Sequence, residues 1–285
     1  MNKSTKLAIF DIDGTIADNK ILPASIIGGM RHLRSQGYHT SVATGRGLWT
    51  MRKVLGKYYD DIISESAFLV LEHGAKVVDR DGNVVFMEEF GPDELEHAHD
   101  FLRSNIEMFS ECWYNSPDPT VKLQYWVHNP QDIDRVHKKY PPTHIYAFSS
   151  SLGELKERFK AQPISNIEVR TKPHVVPGNL KLRLTRTNMD INFNTAGIMG
   201  MFMNNTNKGL AVRYVVDKLG IDMKNVIVAA NGINDVEMLD LDVGTRILVG
   251  PQKDRDEIKG YLSSVDEIVE VETPAALGDY LQKLQ

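Results

Sequence analysis

The stretch Leu7-Ala8-Ile9-Phe10-Asp11-Ile12-Asp13-Gly14-Thr15 constrains this chain more than any other. Four consecutive apolar residues read as a strand covered on both faces, as strands of parallel sheets are. The strand ends in two carboxylates two residues apart, then Gly-Thr. Open α/β sheets place ligands outside the carboxyl ends of their strands. Core packing does not call for two aspartates there, whereas chemistry does. Asp11 has the donor atoms to attack an electrophile or hold a metal, and Asp13, one pleat further on, can hand protons to the same centre. Gly14 lets the chain turn sharply after them.

Beyond Thr15 strand and helix alternate, which predicts a parallel sheet. A helix opens at Pro23-Ala24-Ser25 with Ile26, Ile27, Met30 and Leu33 at helical spacing, and stops near Gly37. Tyr38–Ala43 is a second strand, followed by Thr44-Gly45-Arg46. A helix over about 48–58 leads to a third strand, Ala67–Leu71, and Glu72-His73-Gly74 comes next. The Asp81-Gly82 turn between two apolar runs marks a hairpin.

From about Glu88 the pattern changes. An amphipathic helix beginning at Pro92 gives way to strand-like runs at Val121–His128, His144–Phe148, Ile167–Thr171, Leu180–Thr187 and Asp190–Asn194, with helical segments at roughly 131–140 and 152–162. Prolines at 117, 119, 130, 141, 142, 163, 173 and 177 punctuate the connections. This mixture predicts an α+β domain with an antiparallel sheet. The strand–helix pattern resumes with a helix opening at Lys208, a strand Val226–Ala229, the loop Ala230-Asn231-Gly232-Ile233-Asn234-Asp235 and a last helix from about Pro274. The expected division is therefore a Rossmann-like core over 1–86 and 195–285, and an inserted domain over 87–194.

Composition narrows the function classes. Lys and Arg number 33 against 38 Asp and Glu, a net charge of −5. No global basic field recruits nucleic acid or an anionic membrane. No apolar stretch reaches the ~18 residues of a spanning helix, and the run at Leu7–Phe10 is too short for the apolar region of a signal peptide. The single cysteine, Cys112, excludes an internal disulfide and fits a reducing, cytoplasmic setting. The residues are silent on oligomeric state.

Four clusters follow the expected core strands: Asp11 with Asp13, Thr44-Gly45-Arg46, Lys208 at its helix start, and Asn231 to Asp235. Brought to one sheet edge, they comprise a carboxylate nucleophile with an acid/base partner, a hydroxyl and helix N-terminus for an anion, and a lysine to neutralise charge. Asp11 and Asp235 could together hold a hard cation such as Mg²⁺ through oxygen. A carboxylate attacking phosphorus needs such positive charge, because both reactants are anions.

Phe10-Asp11-Ile12-Asp13-Gly14-Thr15, Ala43-Thr44-Gly45-Arg46, Lys208-Gly209 and Gly232-Ile233-Asn234-Asp235 together resemble the haloacid dehalogenase superfamily of phosphotransferases. The Thr-Gly-Arg form and the large insertion resemble its Cof-type branch, subclass IIB, which carries an inserted C2-type cap domain. The resemblance implies a Mg²⁺-dependent phosphomonoester hydrolase acting through an aspartyl-phosphate on a sugar phosphate or similar small phosphorylated metabolite. It implies that Asp11 is the nucleophile and a metal ligand. Asp13 would be the proton carrier and would give its carbonyl to the metal. Thr44 and Gly45 would grip the phosphoryl group, Lys208 would neutralise charge, Asn234 would contact phosphate, and Asp235 would hold metal-bound water. Arg46 either caps or pairs locally, or contacts the substrate or the cap domain. His73 is either a surface or hydrogen-bonded histidine, or a substrate contact at the mouth of the site.

One position departs from the family pattern. Asn231 stands where the family has an aspartate that ligates the metal directly. Three readings compete: a working enzyme that binds metal more weakly through Asn231, a nearly inactive protein that binds phosphometabolites, or a rearranged site in which Asp235 moves inward. A sugar phosphomutase is a further variant.

Overall fold

The computed structural model describes residues 6–116, 123–134, 146–149, 151–160, 162–173, 189–193, 197–204 and 206–284. The chain divides into two compact units, Met1–Phe86 with Asn207–Gln285, and Met87–Thr206. In chain order the strands are β1 (Lys6–Phe10), β2 (Tyr38–Ala43), β3 (Ser66–Leu71), β4 (Lys76–Asp79), β5 (Val84–Met87), β6 (Phe109–Asn115), β7 (Leu123–Val127), β8 (Tyr146–Phe148), β9 (Asn166–Thr171), β10 (Met189–Phe193), β11 (Ile198–Met203), β12 (Val226–Ala230), β13 (Thr245–Val249) and β14 (Ile268–Val271).

The first unit is built on an eight-stranded sheet ordered β14-β13-β12-β1-β2-β3-β4-β5. From β14 to β3 neighbouring strands run parallel, and β4 turns back antiparallel on β3. β1 lies inside this sheet, with Ile9 level with Val228 on one side and Ser41 on the other. Its alternation decides what each face meets. Ala8 and Phe10 pack with Ile26, Met30 and Leu33 of the helix Ala24–Ser35 and with Leu277 and Leu281 of the helix Pro274–Leu281. Leu7 and Ile9 face the opposite layer, which holds Ala211, Val212, Val215 and Val216 of the helix Lys208–Leu219. Covering a Leu, Ile or Phe side chain fully is worth about 1.5–3 kcal/mol, so β1 is held firmly from both sides. The expected helix over 48–58 breaks into a helix Leu48–Leu55 and a single turn Gly56–Tyr58, followed by a helix Tyr59–Glu65.

The second unit carries a six-stranded sheet ordered β10-β11-β9-β6-β7-β8. The sequence placed the return to the first unit at 195. Instead β11 pairs antiparallel with both β9 and β10, so Ile198–Met203 completes the second sheet and the return comes at Asn207. The sheet is not wholly antiparallel either, since β8 runs parallel to β7. The connection over 128–145 exceeds the dozen or so residues that a parallel crossover needs. Alternation along β6 and β7 sends Cys112, Tyr114 and Trp126 into a core with Leu95, Ala98 and Leu102 of the helix Pro92–Ser104. Trp113 and Tyr125 stack at 5.2 Å in a smaller cluster of their own. His97 is exposed and His99 buried, on different faces of that helix. The expected strand Leu180–Thr187 and the second half of the expected helix at 131–140 lie outside the described residues, as do the prolines at 117, 119, 141, 142 and 177.

Candidate active site

Strands β12, β1 and β2 lie side by side, so their carboxyl ends bring three of the four sequence clusters to one edge. Backbone bonds hold the chain as it leaves the sheet. The Asp11 N–H donates to the Ala229 carbonyl at 2.9 Å, and the Thr44 N–H donates to the Val70 carbonyl at 2.9 Å. Gly14 adopts φ +86°, and a Cβ there would stand 2.0 Å from the Asn231 side chain. A residue without a side chain is required for the turn to approach the loop after β12.

The fourth cluster arrives from the helix Lys208–Leu219, whose start is capped by the Asn207 side chain accepting from the Leu210 N–H at 2.8 Å. Lys208 is only 1% exposed. Its Nζ donates to Asp11 Oδ1 at 2.6 Å and to Asp235 Oδ1 at 2.5 Å. One ammonium thus holds two buried carboxylates together. Asp235 is also tied locally, since its Oδ2 accepts from the Gly232 N–H at 3.1 Å.

These contacts set the protonation balance. Burial, then repulsion from Asp235, pushes Asp11 up to about 7 against the pull of Lys208. Burial alone would lower Lys208, but Asp11 and Asp235 outweigh it and hold the ammonium above its ordinary value. His73 lies over Gly45, where an added Cβ would meet its ring at 2.4 Å. Burial and the nearby Lys208 charge push His73 down to about 3, so its imidazole is neutral.

The other expected residues divide. Asp13 turns its side chain outward, 45% exposed, and pairs with Arg46. Its backbone carbonyl faces Asn231. Arg46 thus has a local partner in Asp13. Thr44 is fully buried, and its Oγ1 accepts from the Arg46 N–H at 3.2 Å. Asn234 is exposed, with its Nδ2 3.4 Å from Asp235 Oδ1. Thr15 is a member of the centre to which the sequence assigned no role. It is fully buried and its hydroxyl donates to Asp11 Oδ2 at 3.1 Å. Its place directly after Asp13-Gly14 was the available signal.

Among the described residues, no group of three or more His, Cys, Asp or Glu side chains is gathered as for a metal ion. The remaining donors are the Asp11 carboxylate, the Asp13 carbonyl and the Asn231 side chain. The tip of Asn231 lies 2.8 Å from the Asp13 oxygen and 3.2 Å from Asp11 Oδ2. Oxygens on adjacent corners of an octahedral Mg²⁺, each at about 2.0–2.1 Å, stand about 2.9 Å apart. With the Asn231 oxygen turned inward, its distances to the Asp13 carbonyl and Asp11 Oδ2 are near that spacing.

The chain is 24% identical to an HMP-PP phosphatase of Citrobacter koseri, over 86% of this chain and 84% of that protein. It is 25% identical to a putative phosphatase of Haemophilus influenzae, over 84% and 83% respectively. Its fold is similar to that of a sugar phosphatase of haloacid dehalogenase subclass IIB, with a TM-score of 0.72 at 15% identity over 98% of both chains. A family profile for haloacid dehalogenase-like hydrolases matches residues 8–254. The chain belongs to the haloacid dehalogenase-like hydrolases.

Proposed function

We propose that this protein is a divalent-cation-dependent phosphomonoester hydrolase working through an aspartyl-phosphate on Asp11. The observation that carries the reading is the buried Lys208 ammonium bridging Asp11 and Asp235 at the sheet edge. A nucleophilic carboxylate with this much neighbouring negative charge needs a fixed cation to stay ionised, and an incoming phosphate dianion needs the same charge.

In this mechanism an Asp11 carboxylate oxygen attacks phosphorus and the bond to the leaving oxygen breaks. Asp13 gives that oxygen its proton, then takes one from the water that attacks the phosphoryl group, releasing phosphate and restoring Asp11. Thr44, Gly45 and Asn234 bind the phosphoryl oxygens, and Lys208 offsets their charge. Asp11, the Asp13 carbonyl and Asn231 would hold the cation, with Asp235 behind them, and when bound it supplies further neutralisation of nucleophile and phosphate. Mg²⁺ is the expected ion for an all-oxygen set. A small phosphorylated metabolite, a sugar phosphate first, is the expected substrate. The names of the phosphatase relatives and of the sugar phosphatase with a similar fold support this. The one cysteine, free and buried, supports a cytoplasmic setting. No helix among the described residues is long and apolar enough to cross a membrane.

The test is aryl-phosphate hydrolysis with and without Mg²⁺, beside Asp11→Asn, followed by a panel of phosphorylated metabolites. Metal-dependent turnover that disappears in Asp11→Asn is expected. The absence of turnover with every substrate and metal tried, while phosphometabolites still bind, would favour a binding protein. Hydrolysis that survives Asp11→Asn would remove Asp11 as nucleophile.

A further inference from the structure

The surroundings of the Asn231 tip are unusual for an oxygen. Within reach are the Asp13 carbonyl oxygen at 2.8 Å, Asp11 Oδ2 at 3.2 Å and Thr15 Oγ1 at 3.0 Å. A carbonyl and an ionised carboxylate have no proton to give, and the single proton of Thr15 serves either Asn231 Oδ1 at 3.0 Å or Asp11 Oδ2 at 3.1 Å, not both. An amide oxygen placed there without a cation faces the Asp13 carbonyl and Asp11 Oδ2 and can take only the Thr15 proton, which Asp11 Oδ2 then loses. An amide nitrogen placed there donates to the Asp13 carbonyl and to Asp11 Oδ2. The choice between the two ends of an amide is made by its hydrogen-bond partners, and here they select nitrogen.

An aspartate of the same shape has no such choice, because both its outer atoms are oxygens. It would add a negative charge to a centre where Lys208 already serves two buried carboxylates. A cation among the oxygens relieves that arrangement, and without one a carboxylate must take up a proton.

We infer that Asn231 closes this site when no divalent cation is bound, its Nδ2 bridging the Asp13 carbonyl and Asp11 Oδ2, and that a half-turn of the amide presents Oδ1 when a cation enters. The inference rests on the reading of these oxygens as a cation site. Its consequence is a folded state that is satisfied without metal. The cation must displace two hydrogen bonds and receives one carboxylate fewer, so it binds weakly.

Thermal unfolding of the wild type, Asn231→Asp and Asn231→Ala, each in EDTA and in millimolar Mg²⁺, tests this. The wild-type midpoint should differ little between the two conditions. Asn231→Asp should unfold at least ~5 °C lower in EDTA, using about 2–4 °C per kcal/mol for a large domain, and recover when Mg²⁺ is added. Asn231→Ala, which loses the donors without gaining charge, should fall by less and not respond to Mg²⁺. If Asn231→Asp matches the wild type in EDTA, the amide bridge is overturned. If Asn231→Asp falls in EDTA and Mg²⁺ does not restore it, the bridge stands and the cation site proposed for catalysis fails. Should Asn231→Asp not fold in EDTA, the side-chain NH₂ resonance of wild-type Asn231, identified by its loss in Asn231→Ala, decides. It should be protected from exchange in EDTA and shift on titration with Mg²⁺. An NH₂ group exchanging freely in EDTA would overturn the bridge.

Discussion

The Arg46 guanidinium grips the Asp13 carboxylate with two parallel bonds, Nε to Oδ2 at 2.7 Å and an Nη2 bond to Oδ1 at 2.9 Å. The pair is partly open to solvent on both sides, so it adds little to stability, at most about 1 kcal/mol. Its effect is on orientation. Arg46→Ala should leave the unfolding midpoint almost unchanged yet lower kcat/KM for an aryl phosphate by on the order of 10²-fold, the scale of losing a positioned catalytic group. Arg46→Lys should recover only part of that loss, since an ammonium cannot match the fork. Unchanged kcat/KM in Arg46→Ala would mean that Asp13 does not need this partner.

Lys208 is the buried charge that Asp11 and Asp235 share. Replacing it by methionine leaves Asp11 and Asp235 buried together with no counter-charge. Breaking a buried ion pair from one side costs about 3–5 kcal/mol. Urea denaturation at pH 7.5 should show a loss of that size. The loss should shrink when Asp11→Asn is combined with it, because the two sites are in contact and their effects couple.

Asp11 predicts a specific pH dependence of the metal-free protein. Its folded-state value of about 7 lies above the ordinary 3.8. Between these values the folded state binds more protons than the unfolded state, so stability falls as pH rises from about 4 to 7, with a slope of up to ~1.4 kcal/mol per pH unit. Urea midpoints measured in EDTA across this range should decline for the wild type. Asp11→Asn, which has no proton to lose, should flatten the decline.

Thr15 offers a neutral contrast. Thr15→Val keeps the shape of the side chain but withdraws the hydroxyl from Asp11 Oδ2. A buried acceptor left without its donor costs about 1–3 kcal/mol. Denaturation should register a loss of that order at pH 7.5. A smaller loss at pH 5 is expected, where Asp11 is protonated and depends less on the donated bond.

Much of this centre is legible in the chain because its parts are local. Leu7–Phe10 followed by Asp11 and Asp13 specifies a covered strand and what stands at its end, and β1 has that form. Thr44-Gly45-Arg46 directly follows β2, and Asn231 to Asp235 directly follows β12, so parallel pairing alone carries them to one edge. The limit of the second unit was less legible. Ile198–Met203 reads as an apolar strand in either unit, and only its pairing with β9 and β10 assigns it.

The sequence by itself determined the chemical inventory and the alternating architecture of the first unit, since both depend on residue type and short-range order, and its resemblance to the family marked position 231. Tertiary structure decided the partnerships. Lys208 is 197 residues from Asp11 and Thr15 is 216 from Asn231, and no local pattern encodes which side chains meet across such separations. The amide of Asn231 acquires its meaning from the oxygens around it. Hydrogen bonding and burial act over a few ångströms in space, and it is folding that sets those distances.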